Sequence, residues 1–164
     1  MKLAVVIGRF QPLHLGHISL IDKALEEADK VLLLVGSVKQ LPDFKNPLSY
    51  TERETLLTNH FGTEVIIRPL EDVEHDTDWI ANVIGEVIAI EEDPTEVVLY
   101  TNPKDEEFYR KNFIFPVETL DDVPVSATEI RAAWYTGSLW TVETYLTEEV
   151  IKFLVWHHDT FRLR

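Results

Sequence analysis

Two histidines and an arginine with the spacing of a phosphate-binding loop lie close to the N-terminus. The stretch GRFQPLHLGH, residues 8–17, follows an apolar segment and contains Arg9, His14 and His17. Gly8 permits a sharp exit from a strand, and Gly16 lets a phosphate approach the backbone where a helix begins. The histidines are three residues apart, so they can point the same way from the first helical turn. Two imidazole donors and a guanidinium at a helix N-terminus are suited to stabilising charge on a phosphorus centre that gains a fifth oxygen.

A second candidate phosphate-binding motif lies nearer the C-terminus. Residues 126–131, SATEIR, follow the last apolar segment of strand type and open a helical pattern. Ser126 or Thr128 can cap that helix through its hydroxyl, and Arg131 lies one turn further on, within reach of a phosphate held at the helix start. Taken alone, the motif fits an ordinary helix cap with a surface arginine equally well. Together with residues 8–17 it predicts a second set of contacts to the same triphosphate.

Several common nucleotide and metal motifs are absent from the sequence. It contains neither a Walker phosphate loop nor Gly-x-Gly-x-x-Gly, which disfavours a P-loop enzyme and a conventional dehydrogenase. It has no cysteine, which excludes disulfides and thiolate zinc sites. His14 and His17 have no third ligand at a fitting spacing, so we expect no protein-bound metal. We expect His157, His158 and Asp159 to form a solvated tail.

Alternating strand and helix patterns must position these motifs. Buried strands are predicted at residues 3–7, 31–35, 64–67, 97–100 and 113–117. Helices are predicted at residues 17–28, 51–60, 79–91, 104–111, 127–135 and 147–156. The alternation predicts an α/β, Rossmann-like three-layer domain with a mostly parallel sheet of about five strands and helices on both faces. Ligands of such sheets bind beyond the carboxyl ends of the strands, which is where both motifs begin.

Length, composition and charge limit the class of protein. The 164 residues, 45% hydrophobic and 27% charged, are typical of one soluble globular domain, which we place at residues 1–164. No apolar stretch reaches the ~20 residues that cross a bilayer, and no secretory signal is present, so we expect a cytoplasmic protein without a membrane partner. The net charge of −14 argues against a nucleic-acid partner. An anionic substrate would need the few basic residues gathered in one cleft. A homo-oligomer is compatible with the sequence, which leaves the oligomeric state open.

The motifs resemble those of a known enzyme family. Residues 8–17 resemble the His-x-Gly-His signature of the nucleotidyltransferase superfamily. In their extended form they are similar to the archaeal type of nicotinamide-nucleotide adenylyltransferases and to the N-terminal domain of bifunctional adenylyltransferase/Nudix proteins. Residues 126–131 resemble that family's Ser-x-Thr-Glu-Ile-Arg, and residues 36–37, 45–48 and 51–53 match in the same order. The resemblance spans about residues 1–155. No Nudix box follows before Arg164, so we expect no second activity in this chain.

The resemblance implies a role for each matching residue. It implies that His14, His17 and Arg131 are catalytic and stabilise the transition state. The residues that it implies for ATP binding are Gly8, Arg9, Phe10, His14, Gly16, His17, Lys45, Asn102, Ser126, Thr128 and Arg131. Those that it implies for acceptor binding are Gly36, Ser37, Asp72, Asp76 and Trp79, with Trp79 stacked on the nicotinamide ring. Magnesium would be carried with ATP, the family's reaction being transfer of AMP from ATP to nicotinamide mononucleotide.

Departures from the family pattern and rival functions qualify this expectation. Asp76 stands where the family usually has asparagine, which favours the amide over the acid form of the acceptor because a carboxylate repels a carboxylate. Leu48 replaces a more usual phenylalanine, a packing change without functional consequence.

The alternative functions are a transferase for nicotinate mononucleotide, phosphopantetheine or glycerol phosphate, and a non-catalytic nucleotide sensor. By pattern alone Trp79 is more often a core residue, and we expect Trp134, Trp140 and Trp156 in the core or an interface.

Overall fold

A five-stranded parallel sheet forms the centre of the structure. The structure is a computed structural model, and it describes residues 1–38, 42–121 and 123–162. In chain order the strands are β1 (Leu3–Gly8), β2 (Lys30–Val35), β3 (Ile66–Pro69), β4 (Val97–Thr101) and β5 (Val117–Thr119). Their order across the sheet is β3-β2-β1-β4-β5, and every neighbouring pair is parallel. The chain winds in one direction from β1 to β3 and in the other from β4 to β5. The topological switch point therefore lies between β1 and β4, and the loops that leave these two strands flank the crevice.

Six α-helices connect or follow the strands in the described part of the chain. They are α1 (Leu15–Glu27), α2 (Tyr50–Phe61), α3 (Asp76–Ile88), α4 (Pro103–Asn112), α5 (Ala127–Tyr135) and α6 (Glu148–Arg162). Side chains of His14, Ser49, Asn102 and Ser126 cap the N-termini of α1, α2, α4 and α5 respectively. These caps fix where each helix begins, because each accepts a hydrogen bond from a backbone N–H group of the first helical turn. Among the described residues, none of the helices combines the length and the apolar composition needed to cross a bilayer.

Alternate residues of the central strands face two separate cores, as the two-residue period of a strand requires. Ala4, Val6 and Leu33 lie in one core, which helices α1, α2, α5 and α6 complete. Leu3 and Val5 lie in the other, which α3 and α4 complete. The sheet is thus covered on both faces, and the predicted three-layer α/β fold is confirmed.

Two strands begin later in the chain than predicted. The predicted third strand starts inside a 3-10 turn, Gly62–Glu64, and β3 begins only at Ile66. The predicted fifth strand starts at Phe113, but β5 begins at Val117. Phe113 and Phe115 are buried in the core formed by α3 and α4. Short apolar runs of this kind have the composition of a strand, although a non-strand segment can bury them equally well.

The C-terminal helix corrects the expectation of a solvated tail. Helix α6 continues past the predicted end, and the ring of His157 stacks on that of Phe153 with centroids 3.9 Å apart. The His157 Nδ1 atom also lies 2.8 Å from the carbonyl oxygen of Phe153. The side chain of Asp159 lies outside the described residues. His157 is therefore a packed, hydrogen-bonded residue of the helix.

The tryptophans divide between core and surface. Trp134 is buried, and its Nε1–H group donates to the carbonyl oxygen of Leu154 at 2.7 Å, which joins α5 to α6. Trp140 and Trp156 are 73% and 82% exposed, so neither is a core residue.

Candidate active site

One cavity at the carboxyl end of the sheet brings both predicted phosphate motifs together. It has a volume of about 310 Å³ and lies at the switch point between β1 and β4. Its walls include ten of the residues expected to bind ATP, namely Arg9, Phe10, His14, Gly16, His17, Lys45, Asn102, Ser126, Thr128 and Arg131. Gly8 differs from the expectation, because it lines the neighbouring cavity instead.

The side chains of both histidines accept hydrogen bonds from backbone N–H groups at the start of α1. The Nδ1 atom of His14 accepts a hydrogen bond from the N–H group of Gly16 at 3.0 Å, and the Nδ1 atom of His17 accepts one from the N–H group of His14 at 3.1 Å. The two rings stack with centroids 3.8 Å apart. Since each Nδ1 atom is an acceptor, a neutral ring must carry its proton on Nε2. Both histidines therefore keep one N–H donor for a ligand in the cavity.

Burial keeps both imidazoles uncharged at neutral pH. It lowers the pKa of His14 from 6.5 to about 4. The pKa of His17 is lowered well below its ordinary value, mainly by burial and also by the adjacent His14. Two imidazolium ions stacked at this distance would repel each other. The free protein thus presents two neutral donors, whereas an anion bound in the cavity would favour their protonated forms.

Glycines on either side of the loop make room for its rings. A Cβ atom at Gly16 would lie 2.8 Å from Cε1 of His14, so the glycine accommodates the His14 ring over the helix start, a different reason from the phosphate approach that the sequence suggested. A Cβ atom at Gly8 would lie 3.1 Å from the ring of Phe10, which is buried and has a positive φ of 52°. The Phe10 ring in turn contacts His17, with centroids 4.8 Å apart.

The second motif caps a helix and also reaches the first motif. Ser126 Oγ accepts a hydrogen bond from the N–H group of Glu129 at 3.2 Å, so the capping interpretation is correct for this serine. Arg131 is half-buried rather than a free surface residue, and its Nη1 atom donates to the carbonyl oxygen of Gln11 at 2.9 Å. Its Nη2 atom lies 3.4 Å from Thr128 Oγ1. Burial lowers the pKa of Arg131, with repulsion from Arg9 adding to the effect. A guanidinium held in this way is available to an anion in the cavity.

A loop after β2 brings Lys45 to the same cavity. Asp43 Oδ1 accepts hydrogen bonds from the backbone N–H groups of Lys45 at 2.9 Å and Asn46 at 2.7 Å, which shapes the loop into a tight turn. The ring of Phe44 meets Tyr135 of α5 edge-on, with centroids 5.5 Å apart. The Tyr135 hydroxyl also donates to the carbonyl oxygen of Phe44. The loop that carries Lys45 is thus attached to the helix that carries the second motif.

A second cavity, of about 600 Å³, adjoins the first. Four of the five residues expected to bind the acceptor line it, namely Gly36, Asp72, Asp76 and Trp79. Trp79 is half-buried, and its ring also contacts Phe108 and Phe113, each with centroids 6.1 Å away. Trp79 therefore lines the cavity and packs on the core at the same time.

Ser37 differs from the expectation because it lies behind the second cavity. It is only 2% exposed, and its hydroxyl donates to Asp72 Oδ2 at 2.9 Å. Ser37 thus holds a residue that lines the cavity without lining it. Asn102 lines the first cavity, while its Oδ1 atom accepts a hydrogen bond from the N–H group of Asp105 at 3.1 Å.

Sequence reasoning gave no role to Arg53, which holds the loops of both cavities. Its side chain is 1% exposed and donates to four backbone carbonyl oxygens: Arg9 at 2.9 Å, Gly36 at 2.6 Å, Ser37 at 3.2 Å and Ser49 at 3.2 Å. Burial lowers its pKa to about 10, so it remains charged at neutral pH. The available signal was the spacing of Arg53 with Leu56 and Leu57, which places a charge on the buried face of α2.

Gln11 and Lys104 are the other residues that sequence reasoning passed over. Gln11 is buried, and its amide donates to the carbonyl oxygen of Leu48 at 2.8 Å and accepts from the N–H group of Leu48 at 2.9 Å. Lys104 lies in the first turn of α4 and lines both cavities, as Arg9 does.

Comparison with known proteins identifies the family to which this chain belongs. The cytidylyltransferase-like family model matches residues 5–133. A nicotinamide/nicotinic acid mononucleotide adenylyltransferase of Acinetobacter baylyi is 33% identical over 165 residues, covering 95% of this chain and 86% of that protein. A nicotinamide-nucleotide adenylyltransferase of Methanocorpusculum labreanum is 29% identical over 170 residues, covering 100% of this chain and 96% of that protein.

A solved structure with the same fold comes from Francisella tularensis. It is a bifunctional NMN adenylyltransferase/ADP-ribose pyrophosphatase, 25% identical, with a TM-score of 0.88. The match covers 96% of this chain and 50% of that protein, so this chain spans about half its length. The Francisella protein has also been solved in complex with AMP and a manganese ion. This chain belongs to the cytidylyltransferase-like family of nucleotidyltransferases, and the relatives that it matches there include archaeal nicotinamide-nucleotide adenylyltransferases.

Proposed function

We propose that the protein transfers AMP from ATP to nicotinamide mononucleotide, forming NAD and pyrophosphate. The observation that carries the proposal is the pair of adjoining cavities that share Arg9. The first gathers His14, His17 and Arg131, which suit a triphosphate, and the second combines Trp79 with carboxylates, which suit a flat ring bearing an amide. The names of the relatives support the same assignment.

The reaction needs positioned charge rather than a base. One oxygen of the acceptor's phosphate forms a bond to the α-phosphorus of ATP. The bond from that phosphorus to the oxygen bridging to the β-phosphate breaks, and pyrophosphate leaves with the electron pair. Because the attacking phosphate is already ionised, no side chain has to remove a proton. The residues contribute by aligning the two substrates and by neutralising the charge that develops between them.

The histidines contribute to this step through their Nε2–H groups. Both Nδ1 atoms are occupied by the backbone of α1, so the donors have a fixed direction before the substrate arrives. Donors that are already oriented stabilise a transition state without a cost of reorganisation. Arg131 and Lys45 add permanent positive charge to the same cavity. In this protein of net charge −14, that local cluster is what makes the cleft attractive to an anion.

We propose magnesium as the accompanying ion, carried by the ATP phosphates. The residues fit such an ion, because Asp121 gives the first cavity a carboxylate and Mg²⁺ commonly keeps several waters and few protein ligands. When bound, the ion would neutralise charge on the phosphates.

Nicotinate mononucleotide is the second candidate acceptor. The Acinetobacter relative carries both the amide and the acid form in its name. In this chain, however, Asp72, Asp76 and Asp105 line the second cavity, so a ring carboxylate would enter a field of like charge. We propose the amide as the preferred form on this ground.

An acceptor panel tests the proposed function. The protein is mixed with ATP, magnesium and one acceptor at a time: nicotinamide mononucleotide, nicotinate mononucleotide, phosphopantetheine or glycerol phosphate. We expect NAD and pyrophosphate in equal amounts from the first, and loss of both products when His14 and His17 are replaced together. Binding of ATP without product from any acceptor would instead support a nucleotide sensor.

A further inference from the structure

Two basic side chains line both cavities, and only one of them has a role so far. Arg9 follows β1, and Lys104 follows β4. These are the two strands on either side of the topological switch point, so Arg9 in the loop after β1 and Lys104 in the first turn of α4 flank the crevice. Lys104 is exposed, and it forms no ion pair within the part of the chain that the structure describes. Its ammonium group is therefore free to meet a ligand.

The chemistry of the proposed function assigns a position to such a residue. The acceptor's ring would lie in the second cavity, and its phosphate must reach the α-phosphorus of ATP in the first. A side chain that lines both cavities stands where these two phosphates meet. Each phosphate that approaches the other needs a neutralising group, because two anions brought into one crevice repel each other strongly.

The neighbours of Lys104 indicate which phosphate it serves. Further along α4, Asp105, Phe108 and Tyr109 line the second cavity and not the first. The carboxylates of that cavity, including Asp105, oppose an incoming phosphate, so an acceptor nucleotide requires a cation at its phosphate end. In the first cavity Arg131, Lys45 and the histidines already supply donors to the triphosphate.

We propose that Lys104 binds the phosphate of the acceptor nucleotide and holds it beside the α-phosphorus of ATP. The inference rests on the proposed function and adds to it the residue that makes the acceptor's phosphate, and not only its ring, a requirement for binding. Lys104 reaches the site from the first turn of α4, where capping by Asn102 and the rigid Pro103 fix its backbone.

The test compares an acceptor with and without its phosphate. Lys104→Met removes the charge and keeps the length of the side chain. Lys111→Met makes the same charge change on the same helix, but Lys111 lines neither cavity. For each protein, the dissociation constants of nicotinamide mononucleotide, of nicotinamide riboside and of ATP are measured, together with turnover.

We expect Lys104→Met to weaken nicotinamide mononucleotide by about tenfold or more, the usual size for loss of a charged hydrogen bond. Nicotinamide riboside, which lacks the phosphate, should bind the variant as it binds wild type, and ATP affinity should change by less than about threefold. Lys104→Arg should restore part of the loss, since it returns the charge. Lys111→Met should match wild type throughout.

Three binding results would each overturn the inference. Unchanged affinity for nicotinamide mononucleotide would show that Lys104 does not bind it, and an equal loss for the riboside would show a structural effect. A loss confined to ATP would assign Lys104 to the triphosphate. If wild type forms no NAD, the proposed function fails and this inference fails with it. If wild type forms NAD, any one of the three binding results overturns only the inference and leaves the proposed function in place.

Discussion

The guanidinium of Arg131 donates a hydrogen bond of 2.9 Å to the carbonyl oxygen of Gln11, which lies 120 residues earlier in the chain. This contact joins α5 to the loop after β1, so the two candidate phosphate motifs form one wall of a single cavity. Arg131 lines that cavity, and its Nη2 atom lies 3.4 Å from Thr128 Oγ1.

Replacing Arg131 should therefore weaken ATP more than the acceptor. Arg131→Ala removes the charge and the contact with Gln11, and we expect a loss of ATP affinity of about tenfold to a hundredfold. Arg131→Lys should not fully rescue it, because an ammonium cannot bond Gln11 and a phosphate in the planar geometry of a guanidinium. Titration of each variant with ATP measures the effect. Arg110→Lys is the matched control, since Arg110 also donates to a backbone carbonyl, that of Val117, but lines neither cavity. Wild-type ATP affinity in Arg131→Ala would reduce this residue to a structural role.

His17→Ala should lower turnover by about two to three orders of magnitude, the usual size for loss of one preorganised donor to a developing charge. ATP binding should weaken much less, because in the proposed function the histidine acts on the transition state. The variant also loses the acceptor for the His14 N–H group, so thermal unfolding is measured alongside turnover. His60→Ala, on the exposed end of α2, is the control. Equal losses in binding and in turnover would assign His17 to ground-state anchoring.

Acid should destabilise the free protein through His14. Its pKa is about 4 in the folded protein compared with 6.5 ordinarily, so the unfolded chain binds the proton more tightly. The free energy of unfolding should fall as the pH falls from about 6.5 towards 4, and the His14 contribution should vanish above that range. At 1.36 kcal/mol per pH unit, the full effect of this residue is about 3 kcal/mol.

Urea unfolding at pH 5, 6 and 7 without nucleotide measures this dependence. His14→Gln removes one titrating group and should reduce the slope, with His17, whose pKa burial also lowers, still contributing. His60→Gln should keep the wild-type slope. An unchanged slope in His14→Gln would show that other groups cause the acid sensitivity.

Acceptor choice should depend on Asp76, and acceptor affinity on Trp79. Trp79→Ala should raise the Michaelis constant for both the amide and the acid acceptor, with a loss of binding free energy of roughly 1–3 kcal/mol by analogy with base–aromatic stacking.

Asp76→Asn should improve use of nicotinate mononucleotide relative to the amide, because it removes a like charge from the cavity. The measurement is the ratio of kcat/KM for the two acceptors in wild type and variant. Glu107→Gln, which makes the same charge change on α4 outside the second cavity, is the control. If the ratio is unchanged in Asp76→Asn, Asp76 does not face the ring.

Features that are local in the sequence could be predicted from it. The loop at residues 8–17 and the helix start at residues 126–131 carry their glycines and caps within a few positions, and the fold class follows from the alternation of strands and helices. Features that depend on distant backbone could not. Arg53 bonds carbonyl groups from two other loops, and Ser37 turns away from the second cavity to hold Asp72. The hydrogen-bond partners of Arg53 and Ser37 cannot be predicted from the residues next to them in the chain.

The sequence pattern also could not predict that Arg9 and Lys104 line both cavities. In the sequence Lys104 is an ordinary lysine near a helix start, and only the strand order brings the start of α4 beside the loop of Arg9. The predicted start of the fifth strand at Phe113 was wrong for a related reason. An apolar run such as the one that contains Phe113 and Phe115 indicates that a segment is buried, but it does not indicate whether that segment is a strand.

The four carbonyl groups held by Arg53 have a consequence for the entropy of substrate binding. A loop that is ordered only when its ligand arrives subtracts the cost of ordering from the affinity. Here one buried side chain, that of Arg53, fixes the backbone of Arg9 beside the first cavity during folding. It also fixes the backbone of Gly36 and Ser37 beside the second cavity. The conformational cost of both loops is thus met before either substrate binds, so a residue that contacts neither substrate contributes to the affinity for each.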